Sequence, residues 1–131
     1  MPHIVIEYSA NLKPHLDVQG LVSHLHQSAL GTGIFPIGGL RTRAEERDIY
    51  KIADGHAENC FVHVTLWIGH GRDAPTKQKA AQTIFDDLVS FIKPCFDTLP
   101  LGISMHLQEL DPLLNFKHNN LHEYVKQRAA K

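Results

Sequence analysis

One pattern occurs twice in this chain, and it limits the folds open to it more than any other feature. From Asp17 apolar residues fall at Val18, Leu21, Val22, Leu25 and Ala29, one face of a helix with Asp17 as its N-cap and Gly31 as its stop. The same periodicity returns at Ala81, Ile84, Phe85, Leu88 and Ile92, in a helix opened by Pro75 with Asp73 or Thr76 near the cap. The two starts, at 17 and 76, lie 59 residues apart, and each helix leads into the same punctuation, FPIGG at 35–39 and LPLGI at 99–103. A strand precedes each helix and extended chain follows it. The reading is therefore a duplicated β-α-β unit in a single domain spanning 1–131, with halves at about 2–55 and 60–110 and a tail at 111–131. Right-handed crossovers return each helix to the same side. The fold class is α+β: a four-stranded, mainly parallel sheet with two helices on one face.

Residue chemistry supplies the individual elements. Ile4 to Tyr8 is β-branched and aromatic, then breaks at Ser9-Ala10-Asn11. Cys60 to Ile68 alternates strictly, with Val62, Val64, Leu66 and Ile68 on one face and Phe61, His63, Thr65 and Trp67 on the other. Residues 47–53, RDIYKIA, resume β character before the Asp54-Gly55 turn, and Gly102 to Glu109 reads as the last strand. Pro94 is expected to end the second helix. The tail closes with a short helix, LHEYVKQRAA. Val5, His63, Thr65 and Trp67 fall on the sheet face away from the helices, and nothing left in the chain is large enough to cover them. Sheet-face packing in a homo-oligomer answers that need.

Composition removes several function classes. A net charge of -1, from 13 Lys and Arg against 14 Asp and Glu, sets up no field for nucleic acid or anionic lipid. No apolar run reaches membrane-spanning length, and the amino-terminal segment has the wrong flanks for a signal peptide. Two cysteines, Cys60 and Cys95, fit small core residues in a reducing compartment, so a cytoplasmic protein is expected.

The chemistry-bearing candidates gather around Pro2. Proline at a strand's first position costs no ladder bond, so its place is structurally neutral. If Met1 is removed, however, Pro2 presents a secondary amine, which can act as a base. Arg41 and Arg43 in GGLRTR share one side of an extended segment, and Arg72 in IGHGR follows a glycine-bearing turn ahead of a helix. Their planar forks match carboxylates, although surface arginines more often pair with nearby acids such as Glu45, Glu46 or Asp73. Asp73 is placed to compete for Arg72. IGHGRD lacks the third glycine of a dinucleotide fingerprint. The ten histidines form no recognisable metal set: His24 and His26 leave different sides of a helix, and His118 and His122, though i,i+4, bring no further ligand. No metal and no cofactor are expected.

Together, Pro behind Met, two β-α-β halves and arginines in GGLRTR and IGHGR resemble the tautomerase superfamily. TGIFPIGGLRTR, ADG at 53–55, FVHVTLWIGHGR and LNFKHNN extend the resemblance over nearly the whole chain to the 5-carboxymethyl-2-hydroxymuconate Δ-isomerase family of the bacterial homoprotocatechuate pathway. That resemblance implies Pro2 as the catalytic base, Arg41 and Arg72 as the substrate-binding pair with Arg43 secondary, a small carboxylate-rich substrate, trimeric assembly and cofactor-independent isomerisation. A related decarboxylation or hydration, or a trimeric anion-binding module without catalysis, uses the same residues and stays open at this level.

Overall fold

The computed structural model describes residues 1–130. Strand β1 runs His3–Ser9, helix α1 Val18–Gly31, β2 Arg41–Arg47, β3 Cys60–Ile68, α2 Ala74–Phe96, β4 Leu101–Glu109 and α3 Leu121–Ala129. Single 3-10 turns at Ala10–Leu12 and Ile37–Gly39 sit at the junctions. The sheet order is β2-β1-β3-β4. β1 pairs parallel with β2 and β3 parallel with β4, while the halves join through an antiparallel β1–β3 ladder with His3 opposite Trp67.

Both helices cover one face, as the duplicated unit requires. Ile4 and Ile6 of β1 and Val62, Val64, Leu66 and Ile68 of β3 meet Leu21, Leu25 and Ala29 of α1 and Ile84, Leu88 and Ile92 of α2 in one core. The alternation read in β3 is borne out residue by residue, buried on the even positions and half-buried on the odd ones. Asp17 caps α1 by accepting from Gly20 N at 3.0 Å, and Asp73 caps α2 by accepting from Thr76 N at 2.8 Å. Both cysteines are free and buried, with thiols donating to Pro100 O and His15 O. Burial pushes both thiols up from their ordinary range, Cys60 also through the charge of Cys95.

Two expectations fail. Residues 48–59 form no strand: Ile49 is 93% exposed, and positive φ at Ala53 (53°) and Gly55 (85°) bends the chain back. The extended piece that pairs is Arg41–Arg47 instead, because only that segment reaches β1 in parallel register. Pro94 also lies within α2 rather than after it. Its ring suits helical φ, and near the helix end the missing N–H forfeits one bond while Asp97 N still closes on Lys93 O at 2.9 Å.

The outer sheet face carries His3, Val5 and Glu7 of β1 with Trp67, Thr65 and His63 of β3, in the phase read from the sequence. No helix is long and apolar enough to cross a membrane among the described residues.

Candidate active site

The antiparallel junction decides where the site lies. It sets the start of β1 beside the end of β3, so Pro2, the start of β2 at Arg41 and the turn leaving β3 all meet at one end of the sheet. Pro2 O accepts from Arg41 N at 3.2 Å, which fixes the two chain segments side by side. A cleft of about 270 Å³ opens there, walled by Pro2, Phe35, Gly39, Arg72, Lys117 and His122.

Each arginine is held differently. Arg72 leaves β3 through Gly71, whose φ of 107° is the left-handed region that favours glycine. Its guanidinium lies over the Phe35 ring at 5.3 Å and donates from Nη2 to Ile34 O at 2.7 Å. Asp73 does not compete for it, since that carboxylate is committed to the α2 cap and held below the usual range chiefly by its bond to Thr76. Arg41 donates from Nη1 to Gly39 O at 2.9 Å and also reaches Met1 Sδ. Arg43 points along the outer sheet face, exposed, with Nη1 3.0 Å from His3 Nδ1. Arginine can only donate, so that His3 nitrogen is the lone-pair side. Burial, then Arg43 and Arg41, lower the His3 pKa below its ordinary value.

The electrostatics favour a neutral amine at the chain end. The terminal ammonium is lowered below its ordinary value first by burial, then by the charges of Lys117, Arg41 and Arg72. An anionic ligand profits from the same field. None of the residues lining the cleft is an aspartate or glutamate. A larger hollow of about 390 Å³, between α2 and β4, is lined by Ala81, Phe85, Ser104 and Met105 with two glutamines and offers no ionisable group.

Sequence reasoning placed Pro2, Arg41 and Arg72 together but missed Lys117 and His122. Residues 111–120 are irregular, and α3 lies against the Ile37–Gly39 turn. Asn119 Nδ2 donates to Gly38 O at 3.0 Å, and His122 packs where any side chain at 38 would stand. His118 precedes α3, so the i,i+4 face considered for His118 and His122 does not form. The signal available was the Gly38-Gly39 pair: two glycines beside a proline-led strand leave room for another segment to close in. His24 and His26 diverge as read, towards Phe91 and Thr42 respectively. Among the described residues no cluster of three or more metal-ligating side chains exists.

The doubled β-α-β sheet is shared with a fused 4-OT described as a symmetric trimer, at a TM-score of 0.65 and 14% identity over 92% of this chain and 98% of that one. That likeness is one of fold, the tautomerase-like doubling of a β-α-β unit. The crystal structure of a 5-carboxymethyl-2-hydroxymuconate isomerase from Deinococcus radiodurans R1 is nearer, with a TM-score of 0.89 and 32% identity over 95% of this chain and 93% of that one. The chain is also 36% identical over 126 residues to the 5-carboxymethyl-2-hydroxymuconate Delta-isomerase of Escherichia coli, covering 96% of this chain and all of that protein. The model of the 5-carboxymethyl-2-hydroxymuconate isomerase family matches residues 2–125, and the chain belongs to that family.

Proposed function

We propose that this enzyme ketonises 5-carboxymethyl-2-hydroxymuconate, or a close 2-hydroxy-dienoic acid, in the breakdown of homoprotocatechuate, as a cytoplasmic trimer whose Pro2 is exposed by loss of Met1. The neutral Pro2 nitrogen takes the proton of the 2-hydroxyl, leaving a dienolate and a prolinium. The prolinium then delivers that proton to carbon 5, which gives the conjugated 2-oxo acid and restores the free amine. Arg72 and Arg41 bind carboxylates so that carbon 5 lies over the ring nitrogen, and their charge stabilises the dienolate as it forms. Arg43 assists from the sheet face through the field it adds to Arg41.

The observation that supports this reading is the environment of the chain end. A general base works best with a pKa near the working pH, whereas an α-amine titrates near about 8 and a secondary amine higher. Burial and three neighbouring cations lower the pKa of the Met1 amine, and the same surroundings meet the Pro2 amine once Met1 is lost. A proline still acylated by Met1 has an amide nitrogen and no basic lone pair, so retention of Met1 blocks the chemistry. Support for the trimer comes from the uncovered sheet face and from the fused 4-OT described as one.

Mass spectrometry of the purified protein should show loss of one methionine. Ultraviolet assays should show turnover of the dienol by that form, and none by a form with Met1 held in place. Full activity with Met1 retained overturns the assignment of Pro2. Wild-type kinetics in both Arg41→Ala and Arg72→Ala overturn the assignment of the arginines.

A further inference from the structure

The tail does more than close the chain. Lys117 stands in the wall of the Pro2 cleft, yet it belongs to neither β-α-β half. Among the described residues it has no carboxylate partner within 4.0 Å, as is true also of Arg41 and Arg72. Lys117 is solvent-exposed and the cleft it borders holds no acid, so an anionic ligand there meets its charge unopposed.

The residues just after Lys117 fix its position. Asn119 is tied to Gly38 O at 3.0 Å, and its Oδ1 accepts from Leu121 N at 2.9 Å to start α3. His122 then lies against the Gly38-Gly39 turn, its Nε2 3.9 Å and the Pro2 Cδ 3.6 Å from the point a Cβ on Gly39 would occupy. The tail is thus pinned on the same turn whose carbonyl at Gly39 orients Arg41. Three cations from three separate segments converge on this end of the sheet: Arg41 from the start of β2, Arg72 from the turn after β3, Lys117 from the tail. The charge of Lys117, like those of both arginines, acts on the Met1 amine at the mouth of this cleft. Two cations suffice to hold and orient a dicarboxylate. The third is free to meet a third anionic group.

We propose that Lys117 is the anchor for a third carboxylate, so that the docked tail is the element that selects tricarboxylate dienols over dicarboxylate ones. This rests on the reaction assigned to the cleft and deepens it by naming a residue that determines specificity for the third carboxylate. An ammonium–carboxylate contact on an arm remote from the reacting carbon acts equally on bound substrate and transition state, so its loss appears mainly in KM.

The experiment compares two substrates: 5-carboxymethyl-2-hydroxymuconate, and 2-hydroxymuconate, which lacks the carboxymethyl arm. In Lys117→Met, kcat/KM for the tricarboxylate should fall about 10- to 100-fold, mostly through KM, while the dicarboxylate loses less than about threefold. Lys117→Arg should keep most of the discrimination. Removing the charge also raises the pKa of the catalytic amine, which moves the acid limb equally for both substrates and leaves the ratio of losses untouched. Equal losses on the two substrates, or none on either, overturn the proposal. If wild-type enzyme turns over neither, the assigned reaction is wrong, and calorimetric binding of unreactive tricarballylate against glutarate then tests Lys117 alone. Weaker tricarballylate binding in Lys117→Met, with glutarate little affected, supports the anchor; unchanged tricarballylate binding refutes it.

Discussion

Gly38→Ala separates the stability of the fold from the integrity of the site. The added Cβ would fall on His122 Nδ1 and lie 2.7 Å from His122 Cα. A ring nitrogen could rotate aside, but a Cα moves only with its helix. Gly38 is buried and its φ is not left-handed, so alanine strains packing rather than backbone. Overpacking of this kind costs about 1 to 3 kcal/mol when the surroundings cannot yield. Here they can: α3 buries no residue completely, and its docking includes one hydrogen bond, Asn119 to Gly38, worth about 1 kcal/mol. The tail should therefore lift away, capping the loss near 1 to 2 kcal/mol, or roughly 3 to 6 °C in Tm. Function should suffer more, since Lys117 leaves the cleft with the tail: kcat/KM should drop at least about tenfold, chiefly through KM. Hydrogen exchange read by mass spectrometry should show residues 111–130 exchanging faster while β1 and β3 keep their protection. Unaltered protection in the tail, or cooperative loss of more than about 4 kcal/mol across the whole fold, would refute the reasoning.

Other expectations test separate links. If Pro2 is the base and meets the burial and cations that lower the Met1 amine, the acid limb of kcat/KM should lie below the value of a prolyl amine free in solution. Arg72→Ala removes one cation that disfavours the ammonium, so that limb should shift to higher pH, and a shift to lower pH would show that the field acts otherwise. Leu88→Ala empties a site with no solvent exposure between α2 and the sheet and should cost about 2 to 5 kcal/mol by urea titration at fixed protein concentration. Asp17→Ala removes the carboxylate that accepts from Gly20 N and should cost about 1 kcal/mol in the same titration, with kinetics unchanged. Buried thiols at Cys60 and Cys95 should react with Ellman's reagent only at the rate the fold opens.

The range of the forces involved decides how much could be read in advance. The stripes of α1 and α2 and the alternation of Cys60–Ile68 are local consequences of which face is dry, so they stand out in the sequence. Arg41–Arg47 is rich in charge and does not look like a strand; it forms one because β1 offers an open edge in parallel register. Ile49, Tyr50 and Ile52 look more like strand residues yet find no partner. Pro94 shows the same limit, since near a helix end one missing donor is too small a loss to overrule the packing of Cys95 and Ile92. Lys117 and His122 were invisible for a different reason: the docking of the tail is a fit between two irregular segments, and no periodicity encodes it.

The duplication also explains why the molecule has one such site rather than two. The pseudo-symmetry that relates β1-α1-β2 to β3-α2-β4 makes the start of β3 the counterpart of the start of β1, at the opposite end of the sheet. There Asn59 stands where Pro2 stands, and Leu101, the first residue of β4, stands where Arg41 begins β2. The hollow at that end, about 240 Å³, is lined by Asn11, His15, Glu58 and Cys60 and holds no arginine or lysine. Asn59 is bonded on both sides within the chain, so its nitrogen is an amide that can never be unblocked, and its side chain instead ties the 48–59 loop to Ile52 O and Asp54. Copying a β-α-β unit copies the scaffold and the geometry of a strand start. It does not copy a chain terminus, and a proline nitrogen is basic only at a terminus. On the proposed reading the chemistry belongs to the first half alone, the second half closes its own strand start with neutral packing, and two of the cations around Pro2 come from the far end of β3 and from the tail.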